Sequence, residues 1–235
     1  MSGLKRGFTL VELLVVISII AILMGILVPM LGKAKLAAQE VICKTNLHQY
    51  YLVTELYCNE HNQMYPGAWT SIYKGSSSGC TWHDASKSLE EHPENGGPYW
   101  PYLQSKEINT CPSFVRLASK KHKCSIPVDV QFSYSMNGYI TGHSGIKKTK
   151  VKSSPSQTFL WSEENMWCLK DIDGKIISNY VLNDNALLVG ANGGIDCFGS
   201  FHEISIAKHA AQMPPPGQKH GTYTDGSANV LMMDG

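Results

Sequence analysis

Gly7-Phe8-Thr9-Leu10-Val11-Glu12-Leu13-Leu14-Val15-Val16 sets a single carboxylate into the head of an otherwise apolar run. Lys5 and Arg6 place two cations just ahead of it, as a secretory or membrane-targeting segment requires. Behind it, residues 13–31 are interrupted only by Ser18, Gly25 and Pro29. As a helix these nineteen residues span about 28 Å, close to the roughly 30 Å hydrocarbon core of a bilayer. That is long for the apolar core of a cleavable signal peptide. No small-x-small cleavage site follows the run, and no cysteine is placed for lipid attachment.

Glu12 is the residue that needs an explanation. A carboxylate one turn inside an apolar helix costs about 2.5 to 3.5 kcal/mol even on lenient insertion scales, so it calls for a partner. A cut between Gly7 and Phe8 would create an α-amino group with a pKa of about 7.7 to 8.0, mostly cationic at neutral pH. Glu12 would then be the fifth residue of the shortened chain, able to neutralise the amine of a neighbouring copy. The plainer alternative is a carboxylate close enough to the membrane edge to reach water or to stay protonated.

This stretch closely resembles the prepilin signature shared by type IV pilins and type II secretion pseudopilins: Gly before the cut, Phe after it, Glu five residues into the mature chain. The resemblance implies that a membrane aspartyl peptidase, prepilin peptidase, cuts after Gly7 and methylates the new amine of Phe8, with Glu12 as the assembly carboxylate. Pro29 falls where many pilins carry a helix-loosening proline. Physically it removes the bond to the carbonyl of Gly25, and Gly25 weakens the same turn. Charge leaves orientation undecided, since Lys33 and Lys35 balance Lys5 and Arg6. The resemblance implies a single-pass inner-membrane protein, leader inside and body outside, later part of a periplasmic or surface filament. Its implied partners are copies of itself, other pilin-like subunits, prepilin peptidase and an inner-membrane assembly platform.

Beyond the anchor, the 235 residues leave room for one ordinary domain. The formal charge is only +1 with 17% charged residues, which offers no basic field for nucleic acid. Seven cysteines form no Cys-x-x-Cys pair, against a structural zinc site. Cys43 and Cys58 would lie about 22 Å apart on one helix, beyond disulfide reach. The sequence does not fix the connectivity; Cys111 with Cys124 and Cys168 with Cys197 are the expected pairs.

Leu36, Cys43, Leu47, Tyr50, Thr54 and Tyr57 recur at helical spacing, a stripe suited to packing on a sheet. A helix from Phe8 to about Asn62 would run roughly 80 Å, ended by Tyr65-Pro66-Gly67. Short strands are expected at 132–136, 158–161, around Val181 with 187–189, and at 228–233, with turns at 75–79 and 91–98. The expected fold class is therefore α+β, and the resemblance implies a pilin-like layout: a long N-terminal transmembrane helix packed on a small antiparallel sheet body with long loops. Its parts are a leader at 1–7, a transmembrane half-helix at 8–31, an amphipathic half-helix at 32–62 and a globular body at 63–235.

Several segments also resemble a subgroup with a C-terminal processing-associated domain marked by His, nine residues and Asp-Gly. They are residues 43–49, 110–113, 133–137 and 154–158, with an ending from His220 through Asp234 and Gly235. Thirteen residues, not nine, separate His220 from Asp234, and Thr224 sits at the nine-residue spacing. An Asp-Gly turn would ordinarily lead into a further strand, so truncation and completion by a neighbour are both open.

No catalytic constellation emerges. His202-Glu203 opens like a zinc-protease motif, but Ile206 stands where the second His belongs. Asp171-Ile172-Asp173-Gly174 opens like a calcium loop, yet its twelfth position is Leu182. Some secretion pseudopilins bind calcium in a C-terminal loop, and the resemblance makes Asp184, Asp196 and Asp225 candidates that no spacing singles out. No other cofactor is expected. The leading expectation is a structural filament subunit without turnover. The alternative is a membrane-tethered adhesin that recognises polysaccharide through Trp69, Trp82, Trp100, Trp161 and Trp167.

Overall fold

A computed structural model describes residues 9–74, 88–121, 130–142, 144–163, 169–170, 176–178, 186–187 and 229–235. It divides into two compact units, Met1–Ala38 and Gln39–Gly235.

Helix α1 covers Leu10–Glu60 without a break, Pro29 included. The expected loosening at Gly25 and Pro29 thus leaves the helix continuous, although Pro29 has no N–H to give the Gly25 carbonyl. The helix stops earlier than Tyr65-Pro66-Gly67. Asn62 and Gln63 adopt left-handed φ values of 54° and 57°, and the Gln63 N–H returns to the Cys58 carbonyl at 2.7 Å. That six-to-one bond is a Schellman-type stop made without glycine.

From Gln39 onward α1 belongs to the second unit. Cys43, Leu47, Tyr50 and Thr54 of the expected stripe are buried, and Asn46 and Cys58 join them. The sheet beneath has the strand order β7-β2-β4-β8, with β2 at Tyr134–Asn137, β4 at Phe159–Glu163, β7 at Ala186–Leu187 and β8 at Val230–Met232. Strand β4 runs antiparallel to both β2 and β8, whereas the short β7 joins β2 in parallel, a departure from the all-antiparallel expectation. All four residues of β2 are buried, so both of its faces are covered. Two small antiparallel pairs accompany this sheet. One joins β1 (Met64–Tyr65) to β3 (Ile146–Lys147), and the other joins β5 (Leu169–Lys170) to β6 (Ile176–Ser178). The helices α2 (Lys106–Asn109), α3 (Pro112–Lys121) and α4 (Gly138–Thr141) lie among the loops, together with short 3-10 turns, and sequence reading anticipated none of these three helices.

The core is aromatic. Tyr50 of α1 sits 4.6 Å from Trp161 of β4 and 5.4 Å from Tyr134 of β2, ring centre to ring centre, and Tyr99 lies 5.6 Å from Trp161. Two buried polar tips in this cluster find partners across elements: Trp161 Nε1 donates to Thr54 Oγ1 at 3.3 Å, and Tyr50 Oη donates to Asn109 Oδ1 at 2.5 Å. Asn46 Nδ2 faces the carbonyls of Glu107 at 3.0 Å and Thr110 at 3.1 Å. The contact between α1 and the body is thus pinned by polar groups inside an apolar cluster, which fixes the axial register of the helix as well as its face.

Candidate functional site

The first turn of α1 is organised by Thr9 and Glu12. The main-chain N–H and the Oγ1 of Thr9 each donate to Glu12 Oε2 at 2.8 Å, while the Glu12 N–H donates to Thr9 Oγ1 at 3.3 Å. This reciprocal arrangement is a capping box, in which the first helical N–H groups are satisfied by the residue three positions away. The signal Thr-x-x-Glu stood in the sequence at residues 9–12 and went unread, because the same glutamate was already accounted for by assembly.

Behind this cap, the large apolar side chains over residues 10–31 are between 45% and 79% exposed, so no face of this stretch is buried within the chain. Ser18, the polar interruption, turns its hydroxyl back onto the Leu14 carbonyl at 2.7 Å. The helix is long and apolar enough to cross a membrane. An apolar surface of this extent needs lipid or protein to cover it. Apart from the helix's own backbone, nothing among the described residues lies within 4 Å of where a Cβ at Gly25 would be, so no packing among them demands that glycine.

The other expected positions are distributed unevenly. Gly7, Phe8 and His220 lie outside the described residues, as do Thr224, the zinc-protease-like segment at 202–206, the calcium-loop opening at 171–174, and Asp184, Asp196 and Asp225. Asp234 and Gly235 form an exposed turn after β8, with Gly235 at a φ of 101°. A Cβ at Gly235 would come within 3.2 Å of the Tyr51 ring, so this turn lies against α1. Trp161 and Trp100 are buried and Trp69 is half-buried, while Trp82 and Trp167 are outside the described residues. The described tryptophans therefore serve the core.

One cysteine expectation needs correction. Cys111 is not bridged to Cys124, and its thiol lies beside Cys43; Cys124, Cys168 and Cys197 are outside the described residues. Cys43 and Cys58, on one helix, are not bridged to each other. The Sγ atoms of Cys43 and Cys111 and a carboxylate oxygen of Glu163 all lie within 4.8 Å of one another, and all three residues are buried. Burial first, then the hydrogen bond with Cys43 and the nearby Glu163 carboxylate, push the Cys111 thiol well above its ordinary range. Two soft sulfurs and one oxygen do not suit calcium, which takes six to eight oxygen ligands.

Residues 4–28 match the family model for the prokaryotic N-terminal methylation motif. No curated protein and no solved structure matches the chain. The motif implies processing by prepilin peptidase and assembly with other pilin subunits, and the apolar helix that carries it points to a membrane-anchored protein. A methylation motif at the head of a long apolar helix, followed in the chain by small sheets, gives this chain the layout of a type IV pilin-like protein.

Proposed function

We propose that the protein is a structural subunit of a type IV pilus-like or type II secretion pseudopilus filament, cut after Gly7, N-methylated at Phe8, and free of catalytic turnover. The observation that carries this reading is a methylation motif heading a helix whose apolar side chains over residues 10–31 are uncovered on every face. In the membrane those side chains meet lipid; in a filament they meet the same helix of neighbouring copies. Glu12 supplies the charge that recognises the Phe8 amine of the next subunit. The leader stays in the cytoplasm and the body folds on the periplasmic side. Its partners are further copies, other pilin-like subunits, the peptidase and an inner-membrane platform, and no cofactor is needed.

Intact-mass and N-terminal analysis of the mature protein tests the proposal. A chain beginning at N-methyl-Phe8 is expected. A chain beginning at Met1 or beyond Gly32 overturns it.

A further inference from the structure

We propose that Cys43 and Cys111 close into a disulfide once the body has left the cytoplasm, tying α1 covalently to the turn that starts α3. This rests on the reading that the body is exported, because a structural disulfide persists only in an oxidising compartment.

Geometry carries the inference. The two sulfurs lie within 4.8 Å of each other in a buried site, although 68 positions separate them in the chain. Their backbones are held together independently of sulfur. One turn beyond Cys43, Asn46 binds the Thr110 carbonyl at 3.1 Å, the residue immediately before Cys111. The Cys111 N–H is in turn held by Ser133 Oγ. The helix is therefore held to the residue next to Cys111, and Cys111 itself to Ser133, whether or not the bond forms.

Glu163 helps to separate this reading from a metal site. Its carboxylate is engaged by Asn229, just ahead of β8, with Oε2 accepting from the Asn229 N–H at 2.9 Å and Oε1 facing Asn229 Nδ2 at 3.4 Å. A closed structural zinc site takes four ligands, whereas the described residues offer three here. Two thiolates and a carboxylate around one dication would also leave a net negative charge in a buried place, which is costly without a further cation. A disulfide removes both thiol protons from the cluster and leaves Glu163 as its only ionisable member.

The oxidant is the disulfide of an exported thiol–disulfide exchange protein. One cysteine thiolate attacks it and releases one of its sulfurs as a thiolate. The second cysteine, as thiolate, attacks the resulting mixed disulfide. The oxidant leaves as a dithiol, having taken up two electrons, and the two thiol protons of this chain balance its reduced sulfurs. Because both sulfurs are buried in the folded body, exchange takes place while the body is still closing around α1.

The full chain is produced in the inner membrane of a Gram-negative host, thiols are trapped by acid and alkylation under denaturing conditions, and non-reducing digests are read by mass spectrometry. Protease added to spheroplasts reports export separately. A Cys43–Cys111 linked peptide is expected, with Cys58 alkylated. In purified chain, reductant should lower the thermal midpoint by about 10 °C, an effect absent from the Cys43→Ala/Cys111→Ala double variant. A digestible body with both cysteines alkylated overturns the disulfide and leaves export standing. A Cys111–Cys124 linkage overturns it too, as does one equivalent of zinc with thiols that react only after chelation. If the body resists protease, the export reading fails; the purified chain is then unfolded and refolded with oxidised glutathione, and absence of the linked peptide overturns the pairing itself.

Discussion

Thr9 donates two hydrogen bonds to Oε2 of Glu12, from its main-chain nitrogen and its hydroxyl, each 2.8 Å long. A carboxylate proposed to meet the amine of a neighbouring subunit is therefore already engaged inside its own helix. The two uses are compatible in number, because a carboxylate has about four acceptor sites and both bonds fall on one oxygen. Thr9 orients the group and leaves Oε1 available to an incoming cation.

That dual engagement gives a charge-selective test. Glutamine can replace glutamate in a capping box, so Glu12→Gln keeps the local bonds and loses the charge. If assembly depends on the charge, Glu12→Gln and Glu12→Ala both drop out of sheared filaments, while their helix N-termini differ. A Glu12→Gln subunit recovered in filaments at the normal level would reduce the residue to a cap.

Thr9→Val removes the hydroxyl that both donates to and accepts from Glu12. Amides in the first turn of α1 should exchange roughly fivefold faster in detergent, the usual size of a lost N-cap. Exchange around Tyr50 should not change. Hydrogen–deuterium exchange with mass spectrometry reads both regions at once.

Asn46→Ala leaves the carbonyls of Glu107 and Thr110 without their side-chain donor in the interior. A loss of about 2 to 3 kcal/mol is expected from unpaired buried acceptors. Trp161→Ala, which empties the centre of the aromatic cluster, should cost about 3 to 5 kcal/mol. Denaturant midpoints of the full chain in detergent give both values.

Gly145→Ala probes the β1–β3 pair. Gly145 has a φ of 73°, and a Cβ there would stand 2.1 Å from the Tyr65 carbonyl oxygen. Main chain cannot yield as a flexible side chain does, so a loss of at least about 1 to 3 kcal/mol is expected. An unchanged thermal midpoint would show that the pair contributes little to the fold.

Alkaline pH should weaken the body. Burial pushes the Cys58 thiol up to about 11, helped by Glu55 and opposed by Lys148, and burial also pushes Tyr50 and Tyr65 upward. In the unfolded chain these groups ionise near their ordinary values of about 8.5 and 10. Below pH 8 they are protonated in both states and contribute no pH dependence. Above it the unfolded chain loses protons first, so stability falls as pH rises toward 11. Denaturant midpoints between pH 8 and 11 should decline steadily, and a flat profile would contradict the buried placement of these groups.

The long helix was legible because hydrophobic period and length act locally: Cys43, Leu47, Tyr50 and Thr54 point inward as their spacing requires. Strands β2, β4 and β8 were found within a residue or two for a similar reason, being short apolar segments between turn residues. The polar pins escaped notice, since Asn46 and Asn109 gain their meaning from residues about sixty positions away. The helix end fell within two residues of the expected Asn62, but its stop was assigned to Tyr65-Pro66-Gly67 because a left-handed Asn62–Gln63 pair carries no glycine signal. The sulfur neighbours were missed because sequence proximity favoured Cys124 for Cys111, whereas the sheet and α1 bring Cys43 there instead.

The bare apolar surface over residues 10–31 has an energetic corollary. Lipid tails and leucine-rich helices are nearly equivalent solvents for such a surface, so the proposed move of the helix from bilayer to filament is a transfer between two oils. The hydrophobic contribution almost cancels across that step. Direction must then come from the few polar atoms that change surroundings, and Glu12, held ready by Thr9, is the one best placed to provide it.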